Sequence, residues 1–135
     1  MNRTIFVTAV VFGALAIALG AFGAHGLKTV LDAGEIQVFE TGVRYQMYHA
    51  LFLLFLANTV HVPEHKKKSI FYLIALGVIL FSFSIYLLAT NTLTMFDFKV
   101  IGFVTPIGGL LLLLGWVILG VRFLQSPYKK TSLSF

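Results

Sequence analysis

Cysteine is absent from the 135 residues, and with it go disulfides, thiolate metal sites and any redox mechanism built on a thiol. A quinone-linked disulfide-forming enzyme is excluded on that ground. Charge is scarce too: 11% of residues are charged against 59% apolar. A soluble domain of this length cannot hide so much apolar side chain, because its surface would stay greasy after one core was filled. No Asp or Glu lies deep in a long apolar run, which excludes small four-helix antiporters that work through a membrane-embedded carboxylate. The net charge of +5 sits mostly in short loops and tails rather than on one face, so no nucleic-acid partner is expected.

In place of these features the chain has four apolar runs. A helix needs about 20 mostly apolar residues to cross about 30 Å of hydrocarbon, and residues 4–24, 41–60, 69–89 and 100–121 meet that length. Continuous runs lack the alternation of a membrane barrel. The expected fold is all-α, an integral membrane four-helix bundle forming one domain over residues 1–135. The first run, preceded by Arg3, also has a signal-peptide reading, but the apolar part of a signal usually spans about 7–15 residues. A retained helix is expected.

Positive charge is asymmetric. Arg3, Lys66, Lys67, Lys68, Arg122, Lys129 and Lys130 fall on one side of the four spans, and only Lys28, Arg44 and Lys99 on the other. Asp32, Glu35, Glu40 and Asp97 share the poorer side. Cytoplasmic loops of membrane proteins are the Lys- and Arg-rich ones. The expected location is therefore the cytoplasmic (inner) membrane, multi-pass, with both termini cytoplasmic. Between the first two spans, apolar Val30, Leu31, Ile36, Val38 and Phe39 interleave with Lys28, Asp32, Glu35, Gln37 and Glu40. The segment reads either as a short interfacial helix broken at Gly34 or as a helix running straight into the second span.

Helices in lipid associate through close contact, so small residues mark interfaces. Gly20 and Ala24 form such a pair in the first span, and Gly108, Gly109 and Gly115 mark the fourth. Pro106 is expected to kink the fourth helix, with Thr105 offering a compensating hydroxyl.

The stretch from Glu40 to His49, ETGVRYQMYH, sets polar groups at the mouth of the second span. Glu40 and Arg44 are spaced for an i,i+4 ion pair, and Tyr45 shares a face with His49. At 1.5 Å per residue His49 lies about 7.5 Å deeper than Arg44. Polar side chains at such depth are costly unless paired. Together with His25 at the end of the first span, Arg44, Tyr45, Gln46 and His49 form a candidate binding site. The alternative is a satisfied structural network with Arg44 and Tyr45 as interface anchors. His25 and His49 are of a type that ligates metal or haem, but no third ligand stands at a fixed spacing, and neither metal nor cofactor is assigned. His61 and His65 read as solvated loop residues.

The blocks GAFGAHGLK, ETGVRYQMYHAL, LFSFSIYLLA and TPIGGLLLLLGW, in this order, resemble those of domain-of-unknown-function family 423, small four-helix membrane proteins. The resemblance covers nearly the whole chain. It implies a cytoplasmic-membrane location and places the family's recurring polar positions on His25, Arg44, Tyr45, Gln46 and His49. It implies no activity, substrate or cofactor. FSFS at Phe81–Ser84 departs from the family, where glycine often follows the first serine.

Small size and minimal loops favour a non-catalytic structural or partner-binding component, in contact with the bilayer and with a protein partner or a second copy. The alternative is a membrane-embedded module that binds or transports a lipid, quinone, haem or metal ion through the Arg/Tyr/Gln/His cluster. Catalysis would rest on His49 as a general base, with no nucleophile evident beside it.

Overall fold

The structure, a computed structural model, describes residues 1–127; Lys129 and Lys130 lie outside the described residues. It is all-helical among them. Four long helices carry the fold: α1, Asn2–His25; α2, Ala33–Asn58; α3, Glu64–Ala89; and α4, Val104–Leu124. Three segments built on α1, α3 and α4 are long and apolar enough to cross a membrane. The fourth helix, α2, has 26 residues, about 39 Å of rise, but its first half carries the polar stretch.

Between α1 and α2 the chain makes one 3-10 turn, Leu27–Thr29. Asp32 then opens α2 with a reciprocal cap: its Oδ1 accepts the Glu35 amide at 2.8 Å, and Glu35 Oε2 accepts the Asp32 amide at 2.9 Å. Leu31 and Ile36 pack in one cluster on either side of this cap, the staple that fixes a helix entry. Of the two readings of this segment, the continuous helix is the one formed, and Gly34 lies inside its first turn.

α3 is not uniform. A π turn, Ile79–Phe83, separates the α-helical stretches Glu64–Val78 and Ser84–Ala89. The FSFS departure falls on this turn and the residue after it. Ser84 Oγ donates to the Phe81 carbonyl at 2.9 Å, giving a partner to a carbonyl of the widened turn. Pro106 does not sit where an interior kink requires it. α4 starts at Val104, so the proline occupies the first turn, where an amide has no intrahelical acceptor to lose. The Thr105 hydroxyl instead pairs with Ser84 Oγ at 2.6 Å.

α1 lies along α2, and α4 along α3, with α2 against α3 in the middle. The main core joins Ile5 and Phe12 of α1 to Leu53 of α2, Ile74 of α3 and Leu112 of α4. The helices come closest where glycine allows it. A Cβ on Gly108 would fall on the Phe81 backbone nitrogen, and one on Gly77 would come 2.7 Å from Leu112 Cδ2. α1 and α4 form the exposed flanks: 22% of the apolar segment is buried in each, against 50% in α3. One end of the bundle gathers Arg3, Lys66, Lys67, Lys68 and Arg122, and the other Asp32, Glu35, Glu40 and Asp97. We call these the basic and acidic ends.

Candidate functional site

Rotation along α2 divides the polar stretch in two. Successive residues are turned by about 100°, so Arg44, Tyr45 and Tyr48 come out exposed while Gln46 and His49 point into the bundle and are buried.

Gln46 crosses the junction of three helices. Its Nε2 donates to the Phe12 carbonyl of α1 at 2.9 Å, and its Oε1 accepts the Tyr86 hydroxyl of α3 at 2.7 Å. The Tyr86 ring is flanked by Phe39, centroids 4.9 Å apart, and Phe83 at 5.6 Å. Its edge lies on Gly42, where a Cβ would come within 2.6 Å of it. On the same face of α3, four residues earlier, Ser82 Oγ donates to the Gly42 carbonyl at 2.8 Å.

His49 continues the seam toward α4. The Trp116 indole donates to His49 Nε2 at 3.1 Å, and His49 Nδ1 lies 2.6 Å from the Tyr45 carbonyl. Indole nitrogen is a donor only, so Nε2 must present its lone pair and the proton belongs on Nδ1, donated to the carbonyl. Both contacts are satisfied by this one neutral tautomer. Phe52 meets the Trp116 ring edge-on at 4.7 Å. Among the described residues every buried side-chain nitrogen and oxygen has a hydrogen-bond partner.

The side chains of the other candidate residues add no hydrogen bond to this seam. Arg44 donates to Thr41 Oγ1 at 3.2 Å and lies 3.9 Å from the Glu40 carboxylate, with both charged side chains half exposed. Tyr45 is exposed; its ring meets Phe81 of α3 at a tilt, centroids 4.9 Å apart, and lies nearly parallel to the His49 ring at 6.3 Å. His25 ends α1 as an exposed residue. Of the small residues marked for packing, Gly108 and Gly115 are buried between α3 and α4, Gly109 makes only ordinary contact with the Phe81 ring, and Gly20 meets Val43. Ala24 is exposed. Among the described residues no group of three or more His, Asp or Glu is placed to hold a metal ion. His61 and His65 are both exposed, His65 within the first turn of α3.

Tyr86, Ser82 and Trp116 do not stand out in the sequence as partners of this seam. A signal is nonetheless present: Ser82 and Tyr86 are spaced i,i+4, and Trp116 is the chain's one tryptophan. A further residue that sequence reasoning does not single out is Lys67, two positions before the apolar run that begins at Ser69. It is 2% exposed, and its ammonium donates to Asn2 Oδ1 at 3.1 Å and to the Ala57 carbonyl, one of the last of α2, at 3.3 Å. Burial pushes its pKa below the ordinary lysine value, against the opposing pull of the Glu64 carboxylate. Lys67 shares a helical face with the buried Ile70, Phe71 and Ile74, which distinguishes it from Lys66 and Lys68. Beside it the Met1 ammonium pairs with Glu64 at 3.1 Å. A shallow cleft of about 540 Å³ opens there, lined by Met1, Glu64, His65 and Lys68.

Apolar helices of membrane length stitched by a buried polar seam define a small multi-pass helical membrane protein. The chain belongs to the family described as Protein of unknown function (DUF423), whose model matches residues 19–109. It is 36% identical over 136 residues to the UPF0382 inner membrane protein YgdD of Escherichia coli strain K12, with 97% of each chain covered. It is 38% identical over 114 residues to the UPF0382 membrane protein SSP2132 of Staphylococcus saprophyticus, covering 82% of this chain and 91% of that relative. No solved structure matches it.

Proposed function

We propose that the protein is a non-catalytic component of the cytoplasmic membrane, a structural or partner-binding bundle whose polar residues hold its helices together. The observation that carries this reading is Gln46: both ends of its amide bond to other helices of the same chain. His49 supports it, since each ring nitrogen is engaged within the bundle. The exposed flanks of α1 and α4 are the surfaces available to a protein partner or a second copy. Both termini face the cytoplasm in this reading, because the basic end holds the greater share of Lys and Arg.

The test compares Gln46→Ala with Arg44→Ala in thermal unfolding of detergent-purified protein. A structural seam predicts a large fall in Tm for Gln46→Ala and little change for Arg44→Ala. The reverse order would remove the basis of the proposal.

One observation favours a second reading. Trp116 is half exposed, and its indole is all that caps His49 Nε2. A lipid-soluble ligand with a hydroxyl donor, such as a reduced quinone or a lipid headgroup, would find an acceptor there once the indole swings away. This reading predicts a stoichiometric small molecule in extracts of gently purified protein, lost in folded His49→Ala. An extract from folded wild-type protein holding only bulk lipid dismisses it.

A further inference from the structure

The connection from α3 to α4 exposes more large apolar side chain than a loop in water would. Met95 is fully exposed, and Leu93, Phe96, Val100 and Phe103 are between 48% and 64% exposed. The asparagine, the aspartate and the threonines of the loop, although mostly exposed, hydrogen-bond to its own backbone, to one another or to neighbouring helices. Asn91 Oδ1 accepts the Phe98 amide at 2.7 Å, and Asn91 Nδ2 donates to Asp97 Oδ1 at 3.2 Å. The same Asp97 oxygen accepts the Lys99 amide at 3.1 Å. The Thr94 hydroxyl lies within reach of the Phe96 carbonyl at 2.9 Å. Thr92 ties the loop to α2 through Glu35 Oε1 at 3.2 Å. Asp97 and Lys99 are its only charges, and they cancel.

Its depth follows from helix rise. Twenty residues of α-helix cover about 30 Å, the hydrocarbon thickness. Counting from the basic side chains, that distance runs from Lys67 to Leu87 in α3 and from Arg122 back to Gly102 in α4. Both stems therefore reach the loop about one hydrocarbon thickness from the basic end. Glu35, which the loop touches, stands within the headgroup layer by the same count from Asn58. Hydrogen-bonded polar groups interleaved with exposed apolar and aromatic side chains are what the acyl–headgroup boundary accommodates.

We propose that residues 90–103 form a membrane-interface wedge, with Leu93, Met95, Phe96 and Phe103 inserted among the lipids of the leaflet at the acidic end. The occupant of this apolar surface is lipid, continuous with the lipid around α3 and α4. The wedge holds the acidic end at a fixed depth, as the lysine cluster does at the other. This inference stands apart from the role proposed for Gln46 and His49.

The absence of native cysteine makes the test clean. Met95→Cys, and separately Phe96→Cys, is labelled with the environment-sensitive fluorophore NBD and reconstituted in vesicles of phosphatidylethanolamine and phosphatidylglycerol. Lys28→Cys, exposed in the turn at the same end, serves as reference, and circular dichroism confirms that each labelled protein keeps its helices. Insertion predicts blue-shifted emission at position 95 relative to position 28, with severalfold stronger quenching by lipids carrying a shallow nitroxide than by aqueous iodide. Red-shifted emission quenched by iodide overturns the proposal. Blue-shifted emission reached by neither quencher also overturns it, because protein would then cover the loop. Met95 has no packing to lose, and position 96 gives an independent reading of the same surface.

Discussion

A glutamine in a lipid-embedded helix has both a donor and an acceptor to satisfy where no water can help. Gln46 meets that demand with Phe12 and Tyr86, so its truncation removes more than a contact. Each helix–helix hydrogen bond in a membrane contributes on average about 0.6 kcal/mol, but a buried hydroxyl left alone costs about 1–3 kcal/mol, and a cavity adds to it. In Gln46→Ala the orphaned Tyr86 hydroxyl therefore costs more than the lost bonds themselves, and a destabilisation of about 2–4 kcal/mol follows. Lys67 carries a prediction with a pH signature. Its folded pKa is held below the ordinary lysine value by burial, so between those two values the unfolded chain binds the extra proton. Stability contributed at this site rises with pH across that window. Lys67→Met keeps the buried chain length and removes the titration, so the Tm difference between wild type and variant shifts in favour of wild type as pH is raised from neutral toward the ordinary lysine value. A pH-independent difference would mean that the ammonium is not desolvated. Gln46 and His49 stand out in the sequence because their depth makes them expensive. Their partners do not, because pairing across helices depends on rotation and crossing, which spacing along one helix does not encode. Arg44, on the exposed side of α2, keeps its guanidinium with Thr41 and Glu40 outside the bundle.

The four elements are readable as apolar runs, while their irregularities are not. Pro106 illustrates the limit: within a long apolar run a proline suggests an interior kink, and only the start of α4 at Val104 shows that it removes no hydrogen bond. The start of α2 is open in the sequence for a related reason, since Gly34 weakens a helix but the Asp32–Glu35 cap outweighs it. The π turn in α3 has no signal beyond the FSFS departure. Its consequence is local, because it brings the Phe81 backbone against Gly108 of α4 so closely that no side chain fits between them. Gly108→Ala must therefore push the helices apart. Overpacking costs typically about 1–3 kcal/mol, and here the opposing atoms are backbone, which cannot rotate away. The neighbouring Gly109→Ala is the control: its added carbon would stand 3.6 Å from the Phe81 ring, an ordinary contact, and alanine has the better helix propensity by up to about 1 kcal/mol. Thermal unfolding in detergent should show Gly108→Ala well below wild type and Gly109→Ala at or above it. Equal behaviour of the two would mean that α3 and α4 are less tightly apposed than their backbones place them.

At the scale of the whole molecule, the bundle is polarised. Lys66 and Lys68 lie at one end with Arg3 and Arg122, beside the buried Lys67 that joins α1, α2 and α3. The acidic end carries Asp32, Glu35, Glu40 and Asp97, with Lys28, Arg44 and Lys99 as its only Lys and Arg among the described residues. Arg44 is partly neutralised by Glu40 beside it, which further weakens the positive character of that end. Positive residues close to the ends of spans govern orientation, while acids contribute little, so the three lysines in the opening turns of α3, next to the short α2–α3 connection, act together with Arg3 and Arg122. The expected topology places that connection and both termini in the cytoplasm, with the turn after α1 and the loop after α3 beyond it. A fluorescent protein that matures only in the cytoplasm, fused after Phe135, should be bright. Alkaline phosphatase, active only outside the cytoplasm, should work when inserted after Thr94 and fail when fused after Phe135. The opposite pattern would invert the molecule and expose the basic end to the outside. A mixture of the two would mean that the charge difference is too small to fix one orientation, and the chain would then insert both ways.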